Sequence, residues 1–418
     1  MGIDICLTAK LPRNAPPEEV LSRAKAWIDQ AARFVLVAPT TMLPTDDGSM
    51  IAASLFPQAQ DVFVTASAGR LGLEARTNFP GPGYHDYVCT LAKGLAAHLG
   101  VVWEADDDTE YFDTGDWSAL RGSMLSWLRR LAEVLLGDTE NASGIALCMD
   151  MRHGFKVDAA VATPTGPRSR AWIEQVAADP MSGTDFFAWW DKGLTARTLR
   201  DRAVVRMWCD VHWTRPLTPE STGVLKDVNS CLEQANALDS ELDLPWPEWR
   251  EILGQIESGT GERPASRAIV DANVRSGAMP RIGYRRAPVV HRLPGWELTL
   301  PGSLELQYGD EWVAFDETRS VRLTLMRASE DSAEERDPEE MIREQNPRAK
   351  LKIWTNGQAK FAAHLEKIVE EADSYHSLFV IGSSGPCLCL ATITFVEDSD
   401  REWAMGVAQS IKRYSDPS

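Results

Sequence analysis

Residues 294–302, Pro-Gly-Trp-Glu-Leu-Thr-Leu-Pro-Gly, constrain the fold more than any other stretch. Proline–glycine pairs bracket five residues that alternate apolar and polar, so Trp296, Leu298 and Leu300 share one face of a strand. Neither end continues as helix, because proline lacks an N–H and glycine favours turns. The stretch opens a β-rich third of the chain, with strands expected at 296–300, 304–308, 311–316 and 320–327. A charged, solvated segment at 329–348 carries a short helix at 338–345. A strand at 350–355, a helix over about 357–372 and a closing helix at 399–413 complete the set. Before the last helix, Ser377–Ile381 and Cys387–Phe395 form a hairpin across Gly-Ser-Ser-Gly-Pro.

The preceding two thirds alternate strands and helices. Ile3 to Leu11 alternates as a strand. Pro16-Pro17-Glu18-Glu19 then starts a helix, with proline where no N–H is needed and glutamates at the positive end of the dipole. Its apolar face is Val20, Ala24, Trp27, Ile28, Ala31 and Phe34. Residues 39–60 read as loop, 61–78 as a hairpin, and Phe79-Pro-Gly-Pro-Gly83 launches a helix to Leu99. Strand-like 101–103, an acidic loop, a helix at 116–136 and strands at 145–149 and 155–161 follow. A proline- and arginine-rich stretch at 162–170 marks a boundary. Beyond it come a helix at 170–178, an aromatic helix at 185–190, a strand at 204–213, a helix to about 238 and a short helix from 245. Gly254 to Arg286 has little apolar period and reads as a connector.

This order predicts an α+β protein. Residues 1–162 and 163–256 form two α+β units that share one core or repeat one pattern. Residues 257–286 link them to an antiparallel α/β sandwich at 287–418. A length of 418 residues supports more than one core.

The last unit resembles a known arrangement. Gly295-Trp-Glu-Leu-Thr-Leu-Pro301, then Trp312-Val-Ala-Phe315 and Val321-Arg-Leu-Thr-Leu325, and finally Cys389-Leu-Ala-Thr-Ile-Thr394 before a terminal helix, resemble the DcrB/PsbP-like α/β sandwich. The resemblance covers about 130 residues, and it implies an accessory, non-enzymatic role, one branch being chaperones of secreted bacterial toxins. This chain departs from that branch by the long segment in front.

A formal net charge of −18 argues against nucleic-acid or anionic-membrane binding, which needs a basic stripe. It would instead steer basic partners. Seven cysteines make no disulfide framework, and Asp4 interrupts the first apolar run, so a reduced, cytoplasmic protein without a secretory signal is expected. No run reaches the ~18 apolar residues of a membrane span.

Motifs for chemistry are sparse. The histidines make no H-x-x-x-H pair, and Cys209-Asp-Val-His212 has no second ligand pair, so no metal is expected. Asp106-Asp-Asp-Thr-Glu110 lacks the glycine and glutamate of a calcium loop, and reads as a solvated acidic run. Gly382-Ser-Ser-Gly385 is no nucleophile elbow, and no glycine loop carries a phosphate-binding lysine, so no cofactor is expected. His85 and Cys89 stand one turn apart on a helix, yet a working thiol needs a third, orienting group that the sequence does not reveal.

The function expected is non-catalytic protein binding, as an immunity protein or a toxin chaperone or adaptor, with a basic protein as partner. Glu104, Asp106, Asp107, Asp108, Glu110 and Asp113, with Trp189 and Trp190, are the expected contacts, although tryptophans of this kind more often pack in a core. Two alternatives stay open. One is a hydrolase-type enzyme whose site gathers His85, Cys89 or Asp113 across domains. The other is a structural subunit of a larger assembly.

Overall fold

The computed structural model describes every residue except 1, 13–14, 46–47, 68, 138–144, 156, 280, 309–310, 328–335, 371–372 and 415–418. Part of the charged segment expected at 329–348 therefore lies outside the described residues. The chain is a mixed α+β protein built on several antiparallel sheets.

Its first body begins with β1 (Asp4–Lys10), α1 (Pro17–Ala31), β2 (Thr41–Thr45), β3 (Gly48–Ala53), β4 (Val62–Ser67) and β5 (Arg70–Arg76). It continues with α2 (Pro82–Leu99), β6 (Trp103–Asp107), α3 (Tyr111–Thr114) and α4 (Trp117–Gly137). The six strands form one antiparallel sheet ordered β2-β3-β4-β5-β1-β6. Ile5, Leu7 and Ala9 of β1 are buried and Cys6, Thr8 and Lys10 are exposed, as a period of two requires. Residues 39–60, expected as loop, hold the β2–β3 hairpin, whose Pro44 is tolerated because β2 is an edge strand. The apolar face of α1 is Val20, Leu21, Ala24 and Ile28. Phe34 lies beyond the helix end and is 74% exposed.

Four short strands follow, β7 (Ile145–Ala146), β8 (His153–Phe155), β9 (Val161–Thr163) and β10 (Gly166–Arg168), then α5 (Arg170–Ala178). The aromatic helix expected at 185–190 does not form. A 3₁₀ helix ends at Phe186, and Phe187–Trp190 leave it as a turn. The glycines of the Phe79–Gly83 motif explain this path: Trp189 N donates to Pro80 O and Gly83 N to Trp189 O, at 2.7 and 2.9 Å. A Cβ on Gly83 would collide with Asp191 O and the Trp189 ring, so only glycine admits the crossing.

A helical layer comprises α6 (Ala196–Cys209), α7 (Pro219–Leu238), α8 (Trp246–Thr260) and α9 (Arg267–Asn273). The strand expected at 204–213 is thus mostly the end of a helix. Alternation of Val205, Met207, Cys209 and Val211 mimics period two, but Thr195 caps the helix and Leu199, Ala203 and Met207 run at helical spacing into the core. Arg202 and Arg206 are buried on the same helix. They donate to the carbonyls of Val35, Leu36 and Val37 and pair with Asp227, tying this layer to the first sheet body. Residues 257–286 hold the end of α8 and all of α9, whose Val270 is buried in the helical core.

The C-terminal part contains β11 (Val289–Leu293), β12 (Trp296–Leu300), β13 (Glu305–Tyr308), β14 (Trp312–Phe315), β15 (Arg319–Arg327) and α10 (Pro338–Gln345). It ends with β16 (Leu351–Asn356), β17 (Ala359–Glu370), β18 (Asp373–Ser384), β19 (Cys387–Phe395), α11 (Arg401–Ser410) and β20 (Lys412–Arg413). Seven strands form an antiparallel sheet ordered β13-β14-β15-β19-β18-β17-β16. Trp296, Leu298 and Leu300 of β12 are buried, as the opening stretch predicts, and share a core with α11 and this sheet. The helix expected at 357–372 is instead the long strand β17. Ala359, Phe361 and Ala363 face the main core while Ala362 packs under α10, so burial on both sides erases the alternation that marks a strand. A four-stranded sheet, β20-β12-β11-β8, joins this part to β8 of the preceding region.

Candidate functional site

Strand β6 is the edge of the first sheet, and its register against β1 decides what each acidic side chain does. Asp107 lies opposite Ile5 and Ala105 opposite Leu7, so both point to the core; Asp106 lies opposite Cys6 and Glu104 opposite Thr8, so both point outward. The run expected to be uniformly solvated is therefore split. Glu104, Asp106, Asp108, Glu110 and Asp113 are exposed, while the Asp107 side chain is 2% exposed.

Asp107 ends in a ring of donors. Its Oδ1 accepts from Thr109 N and Thr109 Oγ1 at 2.9 and 2.8 Å, and its Oδ2 accepts from Phe112 N at 2.8 Å. Burial alone would raise its pKa, but His85 and these N–H groups outweigh it and hold the carboxyl well below the usual range. His85, on the first turns of α2, is fully buried. Its Nδ1 lies 2.8 Å from Thr77 Oγ1, and its Nε2 lies 3.3 Å from Asp107 Oδ2 and 3.2 Å from Thr109 Oγ1. Cys89, one turn on, completes a group of three whose donor atoms all fall within 4.8 Å of one another.

This group supplies the third member that the His85–Cys89 spacing lacks, yet it is not arranged for nucleophilic catalysis. Both imidazole nitrogens face oxygens of Thr77, Thr109 and Asp107, and Cys89 is 1% exposed. Burial first, then the Asp107 carboxylate, push the Cys89 thiol well above its ordinary value, opposite to what a thiolate nucleophile needs. Asp113 stands apart on α3, exposed. The donor set of imidazole, thiol and carboxylate does suit a metal ion.

The outward face of the sheet is different. Cys6 is exposed and flanked across the strands by Glu74 and Asp106. Asp4 and Asp108 stand beside it, Asp108 Oδ2 accepting from Asp4 N at 2.9 Å. Desolvation, and then the charges of Glu74, Asp106, Asp4 and Asp108, raise the Cys6 thiol. Arg76 and Lys10 offset part of this charge, through Asp4 at 2.8 Å and Glu104 at 3.8 Å.

Beyond Arg76 the face ends in a depression of about 690 Å³, walled by Phe63, Phe79 and Trp127. At its side Asn78 is 6% exposed, and its Oδ1 has no hydrogen-bond partner among the described residues. Gln58 and Cys148, also lining it, hold φ of 62° and 55°, a strained region for residues other than glycine. Sequence reasoning gives no signal for this depression, because its walls come from separate strands and α4.

Trp189 and Trp190, expected among the contacts, are 0% and 7% exposed. Trp189 packs against Phe56, Tyr84 and Tyr87, and so belongs to the core and not to a contact surface.

No family model matches the chain, and no curated protein matches it. A solved structure from Bacteroides thetaiotaomicron VPI-5482 is 16% identical over 29% of this chain and 46% of its own, with a TM-score of 0.25. The chain thus spans less than half of that protein, and a likeness of this size carries no argument about function. Among the described residues no helix is long and apolar enough to cross a membrane.

Proposed function

We propose that this chain is a binding protein without catalysis of its own, and that the outward face and edge of the first sheet receive a basic protein partner. The observation that carries the reading is the position of β6. No described strand pairs with its far side, and its outward residues Glu104 and Asp106 join Asp4, Glu74 and Asp108 on one open face. An unpaired edge can accept an added strand, and carboxylates along it repel a second copy of this acidic chain while favouring a basic segment. The depression beside Arg76 deepens the fit. A lysine or arginine stem would lie on Phe63 at its wall.

The accessory role implied by the DcrB/PsbP-like resemblance supports the same reading, as does the net charge of −18. A toxin chaperone, adaptor or immunity protein in the cytoplasm is the biological setting in which such an acidic surface would work by steering and occlusion. The test compares the tagged chain with its Glu104→Lys/Asp106→Lys/Asp108→Lys variant in capture from the native host at low and moderate salt. A stoichiometric basic protein that the wild type retains at low salt and the variant loses supports the proposal. Equal retention by both contradicts the assigned surface.

A further inference from the structure

The contacts of His85 are long for the bonds they would have to be. A charge-assisted bond to a carboxylate runs about 2.7–2.9 Å, yet Nε2 stands 3.3 Å from Asp107 Oδ2 and 3.2 Å from Thr109 Oγ1. The 3.3 Å between Nε2 and Oδ2 matches two neighbouring donors of a tetrahedral shell, in which zinc bonds of about 2.0–2.3 Å put donors roughly 3.3–3.7 Å apart, and Cys89 Sγ lies within 4.8 Å of both groups.

The proton inventory points the same way. In the tautomer that protonates Nδ1, Thr77 Oγ1, 3.3 Å from Ile3 O, accepts from His85 Nδ1–H at 2.8 Å. Thr109 Oγ1 in turn donates to Asp107 Oδ1 at 2.8 Å. With Nδ1 carrying the proton, the Nε2 lone pair is aimed at a carboxylate oxygen, and two acceptors cannot share that gap unless a proton or a cation sits between them. Orientation of a ligating imidazole through its other N–H, and of a ligating carboxylate through further donors, is what metal centres use. Thr77 does the first here, and Thr109 and Phe112 do the second.

We propose that His85, Cys89 and Asp107 hold a divalent metal ion of borderline softness, zinc by its chemistry, as a structural centre that clamps α2 to the end of β6. Imidazole, thiolate and carboxylate are zinc donors. Binding displaces the Cys89 proton to solvent and forms a metal–sulfur bond, with no change of oxidation state. One thiolate and one carboxylate then neutralise the two positive charges, which makes a fully buried ion tolerable. His85, Cys89 and Thr109 are all buried, so the fourth position that the three donors leave in a tetrahedral shell lies among buried groups. The inference does not depend on the partner surface, which lies on the opposite face of β6.

The test uses the full chain in a Cys6→Ser background, which removes the exposed thiol. The chain is purified from zinc-supplemented culture, and metal is counted by mass spectrometry. A second sample is unfolded with chelator and refolded with cobalt(II). About one zinc per chain is expected, with an intense thiolate-to-cobalt absorption band typical of a four-coordinate site. Cys89→Ala and Asp107→Asn should each lower the retained metal at least roughly tenfold. Chelator should lower the melting temperature of the parent and leave Cys89→Ala unmoved. If Cys89→Ala does not fold, the parent's own metal count and cobalt band decide. Metal below about a tenth of an ion per chain, with no band after refolding in cobalt(II), would overturn the proposal and leave a proton in the gap.

Discussion

His153 on β8 faces His291 on β11 directly across the strands that join the two halves of the chain, ring centroids 5.1 Å apart and nearly perpendicular. Both rings are buried, and neither Nδ1 has a hydrogen-bond partner among the described residues. Desolvation first, then charges that include the buried Arg285, lower their pKa values to about 4 for His153 and about 2 for His291. Both are therefore neutral in the folded chain, while in the unfolded chain they titrate near 6.5. Unfolding takes up protons below that value. The stability this pair contributes is complete above pH 6.5 and is lost as pH falls towards 4, at up to roughly 1.4 kcal/mol per pH unit for each ring. Urea midpoints at pH 7.5, 6 and 5 should fall in step, and His291→Asn should flatten the slope. A midpoint constant over that range would show that the rings are not held neutral.

Gly83→Ala tests the crossing that buries Trp189. The new methyl would meet Asp191 O and the Trp189 indole well inside contact distance. Either the turn after Phe186 moves or α2 does, and a loss of about 1–3 kcal/mol is expected by denaturant unfolding. Gly122→Ala, on an open part of α4 with nothing within 4 Å, is the control and should not lose stability.

Cys6 reports the field of the acidic face without any partner. Its thiol is exposed, yet desolvation and the surrounding carboxylates raise its pKa. Alkylation read at the Cys6 peptide at pH 8 should be slower than for a free cysteine. It should quicken roughly two- to five-fold when Glu74 and Asp106 become Gln and Asn, because the rate follows the thiolate fraction. An unchanged rate would mean that the carboxylates do not act on Cys6 together.

Asn78→Leu separates stability from binding. Removing a buried acceptor that has no donor costs the fold little and can stabilise it. Because that acceptor is closed to solvent, a partner N–H does not reach it and partner affinity should stay unchanged. A variant that binds about tenfold more weakly, the worth of one buried hydrogen bond, would show that the depression opens to the partner.

What the sequence shows depends on how many sides of an element are buried. β1 covers one side of its sheet, so the alternation of Ile5, Leu7 and Ala9 with Cys6, Thr8 and Lys10 is visible in the chain. β17 is buried on both sides over Phe361–Ala363, and its Ala-, Lys- and Glu-rich composition favours helix on local propensity. α6 carries core contacts and two buried arginines around most of its circumference, so its helical period is lost. The same limit governs the site. His85 and Cys89 are legible as a pair because they share one helix face, but Asp107 is hidden inside a run of acids. Only the register with Ile5 turns that one carboxylate inward. Asn78 and the depression beside it arise from tertiary assembly, which periodicity does not record.

The most direct measurement of the central claim is hydrogen–deuterium exchange of the chain alone and with its captured basic partner. If the edge of the first sheet is the contact, the amides of Trp103–Asp107 that face away from β1 slow markedly in the complex, and the effect weakens as salt rises. Protection confined to the seven-stranded sheet or the helical layer, with β6 exchanging as in the free chain, would contradict the account.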